Sequence, residues 1–452
     1  MSVPPAARNG ASTAGSLRRW GLAACLVLAV CLVLLSACAP ASSAPELVLL
    51  ISIDTLRADH LGCYGYPAPT SPHLDQLCRE GWVFEKARSH APSTLLAHAS
   101  LFTSLWPHEH GASHVRGLAL PPAATTLAEI LAEEGWRTLA LTGGGQLAPE
   151  FGLDQGFERY EALAPDFDLT VDRLLHHLAN DFAEGPLFAF LHTYEVHHPY
   201  LPSAEHLERF GADYAGDLPD HISVELLHEI NWGGRTISQA DLAHIVATYD
   251  AEIRAVDEAL GRLLAELDEL GLRDETLLIV TSDHGEEFAE RGRVGWHALT
   301  LYEEMLAVPL IFAGSSVPRG LRTSTLVGSV DVAPTLLDLL GIAWPASFRG
   351  RSLLPLARGE ALLALEHVAL GEIEQAPPFH SIRRGPWKLY EGSLFDLASD
   401  PLELADRSSQ RPRLAGALNA RLEALQEQPP PDAPEAEVSP ATRQQLESLG
   451  YL

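Results

Sequence analysis

Asp54, Thr94, Asp283 and His284 are the residues whose types and placing could do chemistry together. Asp54 ends an unbroken apolar run, LVLLISI from Leu47 to Ile53. Such a run suits a parallel strand covered on both faces. Ligands of open α/β sheets bind beyond the carboxyl ends of the strands, which makes a terminal acid a candidate ligand. Alone it would be an ordinary cap or turn former. The pattern recurs at Thr276–Thr281, TLLIVT, which runs into Ser282-Asp283-His284-Gly285-Glu286. Two carboxylates and an imidazole on one sheet edge offer a divalent cation two oxygen donors and one nitrogen.

The hydroxyl comes from Ala91–Gly111, APSTLLAHASLFTSLWPHEHG. Pro92 and Ser93 mark a helix start, and TLLAHASLF suits a buried helix. Thr94 then stands at the positive end of a helix dipole, where an anion or incipient alkoxide is stabilised. By itself the stretch reads equally as a capped core helix. A third strand, Leu187–Leu191, runs into His192-Thr-Tyr-Glu195-Val-His197-His198-Pro-Tyr200. Clustered histidines at a strand exit suit a polar site. His98 lies within the Thr94 helix, and His297 follows Asp283 on a loop.

These groups need a scaffold. A strand at 137–142 ends in the triplet Gly143-Gly144-Gly145, which lets backbone approach a ligand or makes a loose turn. Helices are expected at 74–80, 126–134, 238–270 and 331–340, and a further strand at 308–313. Residues 201–240 are irregular, acidic and aromatic, suiting a lid. Strands alternating with helices define an α/β fold with a central, mainly parallel sheet flanked by helices. Short strands at 381–383, 387–390 and 394–397 and a helix at 410–426 make a small C-terminal α+β subdomain. Residues 428–440, rich in proline and acids, read as a mobile linker.

At 452 residues, with 46% hydrophobic residues, the chain can bury a large core. Its formal charge of −29 argues against nucleic acid and against binding through an anionic lipid surface. Arg18 and Arg19 precede an apolar run from Leu22 to Leu35, the form of an export signal and too short for a stable span. Leu35-Ser36-Ala37-Cys38 resembles a bacterial lipobox, with cleavage before Cys38 and a lipid anchor on it. Ala39 points to the outer membrane. The expected organisation is a signal over 1–37, a linker over 38–45, a catalytic domain over 46–345, the subdomain over 346–426 and a tail over 427–452. Cys63 and Cys78 form either a disulfide or two buried thiols.

The motif order resembles the sulfatase family of the alkaline phosphatase superfamily. ISIDTLRADHLGCYGY at 51–66 is similar to the family's first metal-binding segment, and ASLFTSLWPHEHG at 99–111 to the stretch after its nucleophile. HTYEVHHPY at 192–200, TSDHGEEF at 281–288 and HALTLYEEMLAVPLIF at 297–312 follow in the family's order. RRGPWKLYEGSLFDLASDPLELAD at 383–406 resembles its C-terminal strand pair, and SPATRQQLESLGYL the tail of many bacterial members. Five motifs in order are specific where one would not be.

The resemblance implies an alkaline phosphatase-like sandwich and a metal-dependent hydrolase of sulfate or phosphate esters, small-molecule or glycan. It also departs from the family pattern. The formylglycine Cys of the Cys-x-Pro-x-Arg signature falls on Thr94, its Pro on Leu96 and its Arg on His98. A Thr there resembles the phosphoryl-transfer branches. Asp54, Asp283 and His284 match metal ligands, while Thr55 stands where many members have a second Asp. That implies one divalent ion, Ca²⁺ before Mn²⁺ or Zn²⁺. The implied roles are attack by Thr94, protonation of the leaving oxygen by His197 or His192, and contact with non-bridging oxygens by His98 and His297. Water would free Thr94, or an acceptor hydroxyl would take the group as in a transferase. The competing expectation is a degenerate member that binds an anionic ligand without turnover.

Overall fold

β1 (Leu47–Ile53) is the spine of a computed structural model that describes residues 1–4, 45–181, 185–211, 214–362, 366–427 and 432–451. The expected signal from residue 5 onward and the Cys38 lipid site lie outside the described residues. Among the described residues no helix is long and apolar enough to cross a membrane.

Beside β1 the large sheet contains β2 (Trp82–Phe84), β3 (Arg137–Thr142), β4 (Arg159–Ala162), β5 (Leu187–Thr193), β6 (Thr276–Thr281), β7 (Leu310–Gly314) and β8 (Leu321–Thr323). Their order is β8-β2-β7-β6-β1-β5-β3-β4. β1 runs parallel to β5 and β6, and only β7 is antiparallel to its neighbours. The α/β expectation is met.

All seven residues of β1 are buried because helices cover both faces. Successive side chains point to opposite faces, so the run divides in two. Leu47, Leu49, Ile51 and Ile53 join the core under the 31-residue helix Gln239–Glu269. That helix contributes Ile245, Tyr249, Ile253, Val256 and Leu260, an i, i+4, i+7 stripe. Val48 and Leu50 enter the opposite core with Phe102, Phe190 and Leu336. Ser52 and Asp54 continue that second phase, so both project toward the helix Thr94–Thr103. All ten residues of that helix are buried, as its all-round apolar pattern requires.

The second sheet is an antiparallel meander of β9 (Glu366–Gly371), β10 (Phe379–Arg384), β11 (Trp387–Tyr390) and β12 (Ser393–Asp396). Helix Pro412–Gln426 covers it with Leu418, Leu422 and Leu425. Only the last three strands are expected from sequence; the run into β9, ALLALEHVAL, carries helix-forming residues that hide its strand character. Partly buried Glu303 accepts from Arg88, Arg383 and Lys388, tying the second sheet to the main body. The 201–240 insert holds helices Ala204–Gly211 and Val224–Asn231. Residues 432–438, expected as mobile linker, pair backbone with 117–119: Ala119 N donates to Pro434 O and Ala436 N to Gly117 O.

Cys63 and Cys78 are disulfide-bonded, closing a loop with a sequence separation of 15. A loop of that length loses about 3 kcal/mol of unfolded-state entropy. Thiol reduction is expected to lower the denaturant midpoint by about that free energy, read by circular dichroism with and without dithiothreitol. An unchanged midpoint under verified reduction would show that the crosslink stabilises nothing.

Candidate active site

Three strand ends assemble the site. Asp54 leaves β1, His192 lies in β5, and Asp283 with His284 follows β6; β1 pairs with both neighbours, so the groups share one edge. Thr55 follows Asp54 with φ of 55°, a left-handed conformation costly for a branched residue. That bend aims its N–H at Asp283 Oδ1 at 3.3 Å, while its own hydroxyl donates to the Asp54 carbonyl at 2.8 Å. The Thr55 side chain therefore does not serve as a ligand.

Asp54, Asp283 and His284 present one atom each within 4.8 Å of one another, all buried. Asp54 Oδ1, Asp283 Oδ2 and His284 Nε2 have no hydrogen-bond partner. Buried polar atoms are almost always paired, so three orphans facing one another fit a cation that the side chains are built to hold. Burial, and then the neighbouring Asp283, hold the Asp54 carboxyl well above its usual range. Burial also pushes the Asp283 carboxyl up, but His284, His98 and His192 outweigh it and hold it at about 2. Two oxygens and one imidazole nitrogen suit Ca²⁺, Mn²⁺ or Zn²⁺.

Thr94 opens its helix beside this cluster. Its Oγ1 donates to Asp54 Oδ2 at 3.2 Å and meets the Tyr451 hydroxyl at 3.0 Å. The first-turn N–H of Leu95 donates to Gln146 Oε1. The hydroxyl thus sits at a helix N-terminus against the Asp54 carboxylate, and the helix dipole there favours an alkoxide.

The histidines divide. His98 and His192 lie beneath the reaction space. His98 Nδ1 meets the Thr94 carbonyl at 2.8 Å and Nε2 the Ser52 hydroxyl at 2.9 Å. With both nitrogens engaged and the ring fully buried, His98 holds helix to strand; its expected contact with substrate oxygens is corrected accordingly. Gly143 N donates to His192 Nδ1 at 3.4 Å, so His192 carries its proton on Nε2, 3.2 Å from Asp54 Oδ2. His192 therefore orients Asp54, and its expected role as leaving-group acid is corrected too. Gly143 permits this contact, since a Cβ there would fall 2.4 Å from the Tyr194 ring.

His197 and His297 face the space instead. His197 Nδ1 meets the His198 carbonyl, leaving Nε2 for the Tyr451 hydroxyl at 3.1 Å. His297 Nδ1 lies 3.2 Å from Glu286 Oε1. Burial holds His197 well below the usual imidazole range and His297 at about 4. Glu286 is fully buried; the His297 and His198 rings overcome its burial and hold it at about 2. A pocket of about 350 Å³ opens beside them, lined by His198, Trp296, His297, His114, Arg443 and Tyr451 among others.

Tyr451, Glu286 and His198 are site residues that sequence reasoning missed. His198 and Glu286 sit within quoted motifs, next to residues chosen for matching the family. Tyr451 lies 357 residues from Thr94, and no linear signal joins them.

The family model named Sulfatase matches residues 46–342, and one named N-sulphoglucosamine sulphohydrolase, C-terminal, matches 292–428. This chain belongs to the sulfatase family, a metal-dependent family of sulfate- and phosphate-ester hydrolases within the alkaline phosphatase superfamily. Human arylsulfatase K is 25% identical, the match covering 85% of this chain and 83% of that protein. A structure solved with its substrate D-glucosamine-2-N,6-O-disulfate superimposes with a TM-score of 0.71 at 20% identity, covering 85% and 98% of the two chains. The phosphonate monoester hydrolase of Agrobacterium radiobacter gives 0.68 at 20% identity, covering 84% and 95%.

Divalent cation is expected to raise the melting temperature of the chain. At a hundredfold excess over Kd the gain is about 2.7 kcal/mol. Asp283→Asn should abolish the response to Ca²⁺ and Mn²⁺ in a thermal-shift titration after chelation. A parent chain indifferent to every divalent ion tested would remove the metal assignment.

Proposed function

We propose that this chain hydrolyses sulfate or phosphate esters through Thr94, with one divalent ion held by Asp54, Asp283 and His284. The observation that carries the reading is the Thr94 hydroxyl on Asp54 Oδ2, beside three unpartnered ligand atoms. The ion would neutralise the carboxylate pair and stabilise negative charge on the reacting oxygens.

The remaining work falls to side chains. Thr94 Oγ forms a bond to sulfur or phosphorus as the ester oxygen departs, and the Thr94 proton passes to Asp54 Oδ2, 3.2 Å away. His197, pinned through Nδ1, aims Nε2 at this space and supplies the leaving oxygen's proton once protonated. Its ring is neutral in the free chain, so a bound dianion must raise its affinity for a proton. His297, oriented by Glu286, contacts a non-bridging oxygen by the same logic. Water then cleaves the Thr94 ester and regenerates the hydroxyl. The pocket beside His297 accepts the leaving group, which in a glycan ester is a sugar.

Turnover is measured with aryl sulfate, aryl phosphate, phosphodiester and phosphonate monoester, each with Ca²⁺, Mn²⁺ or Zn²⁺. Thr94→Ala should lower kcat at least about a thousandfold with the melting temperature retained. Undiminished turnover in Thr94→Ala would end the nucleophile reading. No product from the parent chain with any pair would favour an anion-binding protein instead, and transfer to an added alcohol would favour a transferase.

On the Leu35-Ser36-Ala37-Cys38 pattern, with Ala39 after it, we also assign the chain to the surface of a bacterial outer membrane, through lipid on Cys38. Cys38→Ala should move the protein from the membrane fraction to the soluble fraction. An unchanged distribution would refute the anchor.

A further inference from the structure

The pocket and the nucleophile do not meet. Thr94 is fully buried and is absent from the wall of the 350 Å³ pocket, whereas Tyr451 belongs to that wall. The Tyr451 hydroxyl reaches past the wall to Thr94 Oγ1 at 3.0 Å and to His197 Nε2 at 3.1 Å. It occupies the place between nucleophile and acid that an ester oxygen must take. Any ester entering from the pocket has to move this ring.

The segment that carries Tyr451 is docked. Helix Pro440–Ser448 is capped by the Ser439 hydroxyl, and Thr442 Oγ1 donates to Glu150. Gln445 Oε1 accepts from Gly145 N at 3.1 Å. Gly144 and Gly145 are the bed for this helix: a Cβ on Gly144 would lie 2.4 Å from Gln445 Oε1, and one on Gly145 would lie 2.9 Å from Leu449 Cδ1. Beyond the helix, Gly450 turns the chain at φ of 80°, and the Tyr451 side chain follows into the site. A fixed helix, a glycine pivot and a terminal aromatic ring form a hinged element.

We propose that Tyr451 is a gate: in the free chain its hydroxyl holds the ester-oxygen position, and substrate binds by swinging the ring out about Gly450. The proposal rests on Thr94 being the reacting hydroxyl, but access to Thr94 can be measured without turnover. Position 94 is converted by Thr94→Cys in the full chain. Its modification by methyl methanethiosulfonate is followed by mass spectrometry of the peptide that contains it. Adding Tyr451→Ala is expected to speed labelling at least tenfold, and ending the chain at Leu449 should do the same. Ala97→Cys, on the same helix but within the core, reports general loosening and should stay unlabelled in both backgrounds. Equal rates at position 94 with and without Tyr451, or a matching rise at position 97, would overturn the gate. Turnover by Thr94→Ala would instead end the nucleophile reading and leave the labelling result intact.

Discussion

Two carboxylates buried side by side at adjacent strand ends are the constraint on which the rest of this structure depends. At an effective dielectric of 20, two like charges 4 Å apart repel by about 4 kcal/mol, and burial adds a desolvation cost. Burial and then Asp283 hold the Asp54 carboxyl well above its usual range. The chain relieves part of the conflict by donation: Thr55 N and His284 N both reach Asp283 Oδ1, and His192 and Thr94 both reach Asp54 Oδ2. Asp54 Oδ1 and Asp283 Oδ2 are left without donors. The left-handed backbone at Thr55 is comprehensible in this light, as local strain that brings one of those donors into place.

The same pair explains why so much of the site was legible before any coordinates. Asp54 and Asp283 follow runs of buried strand residues, and the two strands, β1 and β6, pair directly with each other, so local pattern and chain topology point to one place. The strands at 137–142 and 276–281 begin and end where the apolar runs do. Less legible were the roles of individual imidazoles. Sequence order places His98 and His192 near Thr94 but does not say which nitrogen is engaged beneath it. Those roles are set by the Ser52 hydroxyl, the Thr94 carbonyl and the Gly143 N–H, contacts that no linear motif specifies. The disulfide was undetermined because spacing permits a bond without requiring one. The C-terminal segment was opaque for a different reason: it begins with the composition of a linker, while its position is set by backbone pairing to residues 117–119 and by the bed that Gly144 and Gly145 make for it.

Imidazoles rather than arginine or lysine face the reaction space, and that sets its electrostatics. An arginine or lysine would be charged whatever its neighbours do, whereas a buried imidazole yields its proton. Here His197 donates through Nδ1 to a backbone carbonyl, and His297 is tied through Nδ1 to the Glu286 carboxylate. Both rings therefore turn an Nε2 lone pair toward the reaction space. Asp54 Oδ1, Asp283 Oδ2 and His284 Nε2 add further electron pairs to the same region. A space lined this way repels a sulfate or phosphate ester as it stands. Positive charge has to arrive before the oxyanion or together with it, as a metal ion on the carboxylates and as protons on the imidazoles. That order of events distinguishes this site from one preloaded with arginine and lysine, and it follows from tautomers imposed by neighbouring backbone and Glu286 rather than from the reacting residues themselves.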